Sequence, residues 1–88
     1  MPEISIQTED GVIVHEGDRV YNYYDMWPGT IVADSVRDYA RGGEEVNIKR
    51  NLWFDVRRDD GDERDTAMLN GERICTIAFA KRKGWPGV

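Results

Sequence analysis

Apolar residues in this 88-residue chain recur mainly at every second position, in short runs bounded by glycine, proline, aspartate and asparagine. That period belongs to half-buried β-strands, whose side chains alternate between two faces. Ile4 and Ile6 precede the turn residues TEDG, and Val12 and Val14 follow them, which predicts an N-terminal hairpin. Next come Arg19 to Tyr24, a loop through Asp25, Met26, Trp27, Pro28 and Gly29, and Thr30 to Ala33. Pro28-Gly29 reads as the turn between these two strands, since proline presets φ and glycine supplies positive φ. Residues 46–49 and 53–57 predict two more strands, or one long strand bent near Asn51. After the polar turn RDDGDE, a strand from Arg64 to Leu69 leads to Asn70-Gly71, a type I′ hairpin signal, and Glu72 to Phe79 returns as the last strand.

Helical periodicity is confined to DSVRDYARGGEE at 34–45, where Asp34 or Ser35 can cap a short helix and Gly42 with Gly43 can end it. A meander of short strands must bury one face and dispose of its edges, and rolling into a barrel does both. The expected architecture is therefore mostly β: a small barrel of five to seven short antiparallel strands, with the N-terminal hairpin and a short helical or loop insert near 34–45. The expected core is Ile4, Ile6, Val12, Val14, Val20, Ile31, Phe54, Val56, Leu69, Ile74 and Ile77. Residues 1–80 form one domain on this reading, and 81–88 a flexible basic tail.

The order GDRVYNYY, loop, PGTIV, WFDVRRDDG and a strand running into LNGERICT resembles the SH3-like small barrels of the Tudor and KOW sort, over residues 17–76. In those families a Gly-Asp pair opens the first strand, a glycine precedes the second, and an aromatic strand followed by Asp-Gly makes the third and its turn. The insert is longer than usual, the hairpin at 4–14 lies outside the pattern, and Asn70-Gly71 stands where a short helical turn often precedes the last strand. The resemblance implies a binding module: Tudor-like domains commonly hold methylated lysine or arginine in aromatic cages, and KOW-like domains commonly contact RNA or ribosomal and transcription proteins.

Composition narrows the function. Eighty-eight residues allow one modest core and leave little room for a deep enzyme cleft. No apolar stretch reaches the roughly 20 residues of a membrane span, and the N-terminus MPEISIQTEDG lacks the regions of a signal peptide, so a cytoplasmic location is expected. The single cysteine, Cys75, cannot form an internal disulfide and agrees with a reducing compartment. The net charge is −5, with ten acids against three bases in residues 1–45 and seven against nine in 46–88. That balance disfavours binding along a nucleic-acid backbone.

Four aromatics fall within residues 21–27: Tyr21, Tyr23, Tyr24 and Trp27. Alternation puts Val20, Asn22 and Tyr24 on one face of their strand and Tyr21 and Tyr23 on the other. Either the rings close the ends of the barrel, or Tyr23, Tyr24, Trp27 and Trp53 form a groove or cage to which Asp25 adds charge. Trp27, at a loop tip, is the leading contact candidate.

Other chemistry finds little support. The acids at 59–65 miss the spacing of a calcium loop and read as a solvated turn flanked by Arg57, Arg58 and Arg64. One histidine, His15, and one cysteine cannot assemble a structural zinc site or place a catalytic trio. No glycine-rich phosphate cradle is present. The expectation is a non-enzymatic module, without metal or cofactor, that binds a protein or peptide through an aromatic surface. The alternative is a nucleic-acid-associated domain using Arg57, Arg58, Arg64, Arg73 and the tail.

Overall fold

A computed structural model describes residues 5–39, 47–62 and 64–88. Among the described residues eight antiparallel strands and one short helix follow each other: β1 (Ile6–Gln7), β2 (Ile13–Val14), β3 (Arg19–Asn22), β4 (Trp27–Ile31), β5 (Arg37–Asp38), β6 (Leu52–Arg58), β7 (Thr66–Asn70), a 3₁₀ turn (Gly71–Arg73), β8 (Ile74–Cys75) and α1 (Ile77–Lys83). β1 and β2 pair as the expected hairpin, with Ile6 opposite Val14. The remaining strands form a curled sheet in which β8, β3, β4 and β6 lie side by side, while β5 and β7 both pair with β6.

Strand β6 organises this sheet. Its residues alternate as the sequence requires, with Leu52, Phe54 and Val56 buried and Trp53 and Asp55 half-buried on the opposite face. The inward residues join Ile6, Val14, Val20, Trp27, Ile31, Leu69 and Ile74 in one apolar cluster. Eight of the eleven expected core residues are there. Val12 is 44% exposed because it closes the hairpin turn, its carbonyl accepting from the Thr8 amide and its amide donating to Thr8 Oγ1, and Ile77 is only half-buried. Ile4 lies outside the described residues.

Pro28 and Gly29 do not turn the chain. They sit inside β4, opposite Tyr21 and Val20, and the turn falls earlier, at Tyr23–Met26. The buried Asn22 builds that turn: its Oδ1 accepts from the amides of Tyr24 and Asp25, and its carbonyl accepts from Met26 N at 2.8 Å. Glycine is needed at 29 because a Cβ would lie 2.6 Å from both the Arg57 carbonyl oxygen and Val56 Cγ1. Pro28 accepts from Asp59 N at 3.1 Å and has no N–H to return, so the β4–β6 ladder stops there.

Three further expectations give way to tertiary structure. Asn70 is not in a hairpin turn; it pairs with Trp53 in β7, and Gly71 lies outside the left-handed region a type I′ turn demands. The chain passes through the 3₁₀ turn into β8, which pairs with β3 and leaves β7 behind. Within the insert, residues 34–39 carry the short strand β5 in place of a helix: Ser35 donates to Val32 O and accepts from Asp55 N, which binds it to β6 and keeps it from capping. Residues 40–45 of that expected helix lie outside the described residues, as does residue 46 of the strand expected at 46–49.

The helix is at the other end. Thr76 caps α1 by accepting from Phe79 N, Gly84 ends it at φ 72°, and Lys81, Arg82 and Lys83 occupy the last turn, where cations complement the helix dipole. Ala80 packs with Tyr21 and Cys75 in a second buried cluster, edged by Tyr23, Ile77, Phe79 and Trp85. The segment 81–88, expected as a flexible tail, therefore completes the fold. Trp85 stacks on Tyr21 with ring centres 5.7 Å apart, and the Tyr21 hydroxyl donates to Pro86 O at 2.7 Å. Both faces of β3 are covered, one by the barrel core and one by α1 and the chain end.

Candidate functional site

The five residues expected to line one groove are placed in four different settings. Trp27 is 8% exposed and belongs to the main core, because β4 begins at this residue and turns its ring inward. It does not stand at a loop tip. Arg58 lies over its ring at 5.8 Å and pairs with Asp60, and these three residues line an open, polar recess of about 340 Å³ with Gly61, Asp65 and Thr66. Tyr23 is half-buried in the cluster beneath α1, with its hydroxyl donating to the Glu72 carbonyl, and Trp85 stacks against it. Burial pushes the Tyr23 phenol up to about 12, with Glu9 adding to the shift. Asp25 stays in the β3–β4 turn, where its carboxylate accepts from Asn22 Nδ2 at 3.2 Å.

Tyr24 and Trp53 are brought together, through a residue the sequence reading placed in a hairpin. The guanidinium of Arg73, at the end of the 3₁₀ turn, lies 5.2 Å from the Tyr24 ring and 5.3 Å from the Trp53 ring. Such cation–π contacts contribute about 0.5–1 kcal/mol each at exposed positions. Among the described residues no carboxylate pairs with Arg73, although Arg50 beside it pairs with Glu72 at 3.0 Å.

Beyond Trp53 the surface continues across the sheet. Arg37 of β5 stands opposite Trp53 in register, and its Nη1 reaches Met68 Sδ at 3.8 Å. Tyr39, whose amide donates to Asn51 O at 2.9 Å, extends β5 past its last paired residue. Tyr39, Trp53 and Met68 line an apolar cleft of about 160 Å³. Tyr24, Tyr39 and Met68 are 59%, 52% and 46% exposed. Large apolar side chains gathered in the open, rimmed by cations, are the usual mark of an interaction surface.

Sequence reasoning found two members of this face and missed four. Met68 was legible as the outward neighbour of Leu69 in β7, and Arg37 only after β5 was known to pair with β6. Tyr39 lay in a segment read as helix, and Arg73 in a strand after a turn that does not form.

A second cleft, of about 240 Å³, lies between the β1–β2 turn and α1. Its walls are Tyr23, Phe79 and Trp85, and Cys75 is at its floor. Burial pushes the Cys75 thiol up to about 11, so it is no nucleophile at neutral pH. Lys83 lies over the Phe79 ring at 5.4 Å and Glu9 pairs with Lys49 at 3.3 Å, so the chain's own charges close this rim.

No protein-family model, curated protein or solved structure matches the chain. Among the described residues, no helix is long and apolar enough to cross a membrane, and no group of three or more histidines, cysteines, aspartates or glutamates could hold a metal ion.

Proposed function

We propose that the protein is a non-enzymatic interaction module that binds a segment of a partner protein on the face formed by Tyr24, Arg73, Trp53, Arg37, Tyr39 and Met68. The observation that carries this reading is the Arg73 guanidinium held between two rings beside an open apolar cleft. It presents oriented aromatic surface and a cation with no carboxylate partner among the described residues. An SH3-like barrel is the framework this reading rests on. The 3₁₀ turn before β8 supports it, standing where such barrels often carry a short helical turn. The free, buried Cys75 suits a reducing compartment such as the cytoplasm.

Of the cations named for nucleic acid, Arg57 and Arg64 stand exposed, but several others are engaged within the chain. Arg58 is paired with Asp60, Arg73 is held by its two rings, and Arg82 and Lys83 lie over Phe79. Selection from a random peptide library displayed on phage tests the proposal. Selected peptides should lose tenfold or more in affinity with Trp53→Ala and keep it with Phe79→Leu, on the far cluster. Selection that yields no binder, or binders indifferent to Trp53, overturns it.

A further inference from the structure

We infer, resting on that reading, that the segment bound is acidic, with one leucine- or phenylalanine-sized side chain seated in the Tyr39–Trp53–Met68 cleft and carboxylates beside it on Arg37 and Arg73. Size comes first. A cleft of about 160 Å³ is well under the roughly 300 Å³ at which small-molecule pockets begin, so it suits a single side chain anchored from a longer ligand. Its walls are two rings and a thioether, and methionine adapts to whichever apolar group enters.

Charge comes second. Three of the described arginines are held by carboxylates. Arg19 holds Asp59 at 2.6 Å, Arg50 holds Glu72 at 3.0 Å and Arg58 holds Asp60 at 2.5 Å. Arg73 instead packs on rings and Arg37 on a sulfur, and neither has an ion-pair partner among the described residues. Both guanidiniums flank Trp53, one across the β5–β6 register and one over its ring. A planar fork offering several N–H donors beside an apolar slot is complementary to a carboxylate next to an apolar side chain.

Discrete carboxylates fit better than a phosphate chain. Asp55 stands opposite Met68 on the same face as Trp53, so an acid interrupts the basic surface. A polyanion with one charge per nucleotide would meet it and the chain's net −5, whereas two or three carboxylates spaced around one anchor need meet only the arginines.

The test uses the full chain and fluorescein-labelled hexapeptides in which a central Leu-Phe pair is flanked by glutamates, glutamines or lysines, followed by anisotropy at physiological salt. The glutamate peptide should bind at least tenfold more tightly than the glutamine peptide, and Arg37→Glu with Arg73→Glu should transfer the preference to the lysine peptide. Arg73→Gln, with both rings intact, should lower glutamate-peptide affinity three- to tenfold and keep glutamine-peptide affinity, so a fold defect in the reversed variant leaves the test decisive. Equal binding of glutamate and glutamine peptides, lost with Trp53→Ala, overturns the acidic ligand and leaves the peptide-binding reading standing. Binding of a labelled oligothymidylate in place of every peptide, or no binding at all, overturns both.

Discussion

The Asp10 carboxylate holds Thr76 at two points: one oxygen accepts from the Thr76 amide at 3.1 Å and the other from its hydroxyl at 2.6 Å. The first oxygen also accepts from Thr8 Oγ1 at 2.6 Å, so the turn between β1 and β2 is fastened to the cap of α1. Burial pushes the Asp10 carboxyl up, but the hydrogen bonds from Thr76 and Thr8 outweigh it and hold the group below its ordinary value of 3.8. Asp10→Ala should lower unfolding stability by about 2 kcal/mol, since hydrogen bonds to a charged group contribute roughly 1.5–3 kcal/mol. A depressed carboxyl contributes stability that is present above 3.8 and lost as pH falls through the folded value. The gap between parent and variant in urea unfolding should therefore narrow as the pH is taken from neutral toward 2.5. A constant gap would show that the carboxylate form is not what holds Thr76.

Alkaline pH works through other groups, Cys75 and Tyr23 among them. Burial raises the Cys75 thiol from 9.0 to about 11 and, first among its causes, the Tyr23 phenol from 10.0 to about 12. In each the folded state keeps its proton after the unfolded chain has lost it. The contribution is complete below about pH 9 and declines as pH rises through the folded values. Stability should fall between pH 9 and 11, less steeply in Cys75→Ala than in the parent. Equal slopes in the two proteins would remove Cys75 from the account.

How much of this was legible follows from what each residue answers to. Burial along β6 depends on alternation alone, so Phe54 and Val56 were placed inward from their spacing. Alternation could not reveal the partner of a strand. The stretch ICTIAF alternates like a strand, but only Ile74 and Cys75 pair, because Thr76 caps a helix three residues before the Phe79 amide it accepts from. Thr76 and Gly84 are residue types that start and stop a helix, but the apolar alternation of ICTIAF masks them. The candidate face is harder still. Tyr24, Arg37, Trp53 and Arg73 meet only because β6 receives strands on both edges, which no local pattern encodes.

Gly71 illustrates the same limit. Its position after Asn70 suggests positive φ, yet the structure requires glycine there for space. A Cβ would run into the Gln7 carbonyl oxygen and lie 2.9 Å from Lys49 O, both backbone atoms that cannot rotate away. Gly71→Ala should therefore cost about 1–3 kcal/mol, in the range of overpacked sites, and should loosen the β1–β2 hairpin first. Denaturant unfolding gives the loss, and hydrogen exchange at the Gln7 amide, which donates to Ile48 O at 3.4 Å, locates it. Unaltered stability together with unaltered Gln7 exchange would contradict this packing.

Trp27 and Trp53 separate structure from recognition within one residue type. Trp27 is buried in the core with Val20, Phe54 and Val56, so Trp27→Ala should cost about 3–5 kcal/mol, as buried aromatic truncations do, and most of a small domain's stability with it. Trp53 is half-buried on the outward face of β6, where its ring contacts the Arg73 guanidinium and one wall of an open cleft. Trp53→Ala should cost about 1 kcal/mol or less through the lost cation–π contact, and should leave the core strands as they are. Its effect should appear in binding, at about 2 kcal/mol or more, because anchoring aromatics concentrate interface energy. Thermal melting beside peptide affinity reads both quantities from each variant. Binding by the folded fraction of Trp27→Ala should match the parent, and binding by the well-folded Trp53→Ala should fall at least tenfold. The reverse pattern, a stable Trp27→Ala that no longer binds, would return the contact to the β3–β4 turn and remove the aromatic–arginine face from the function.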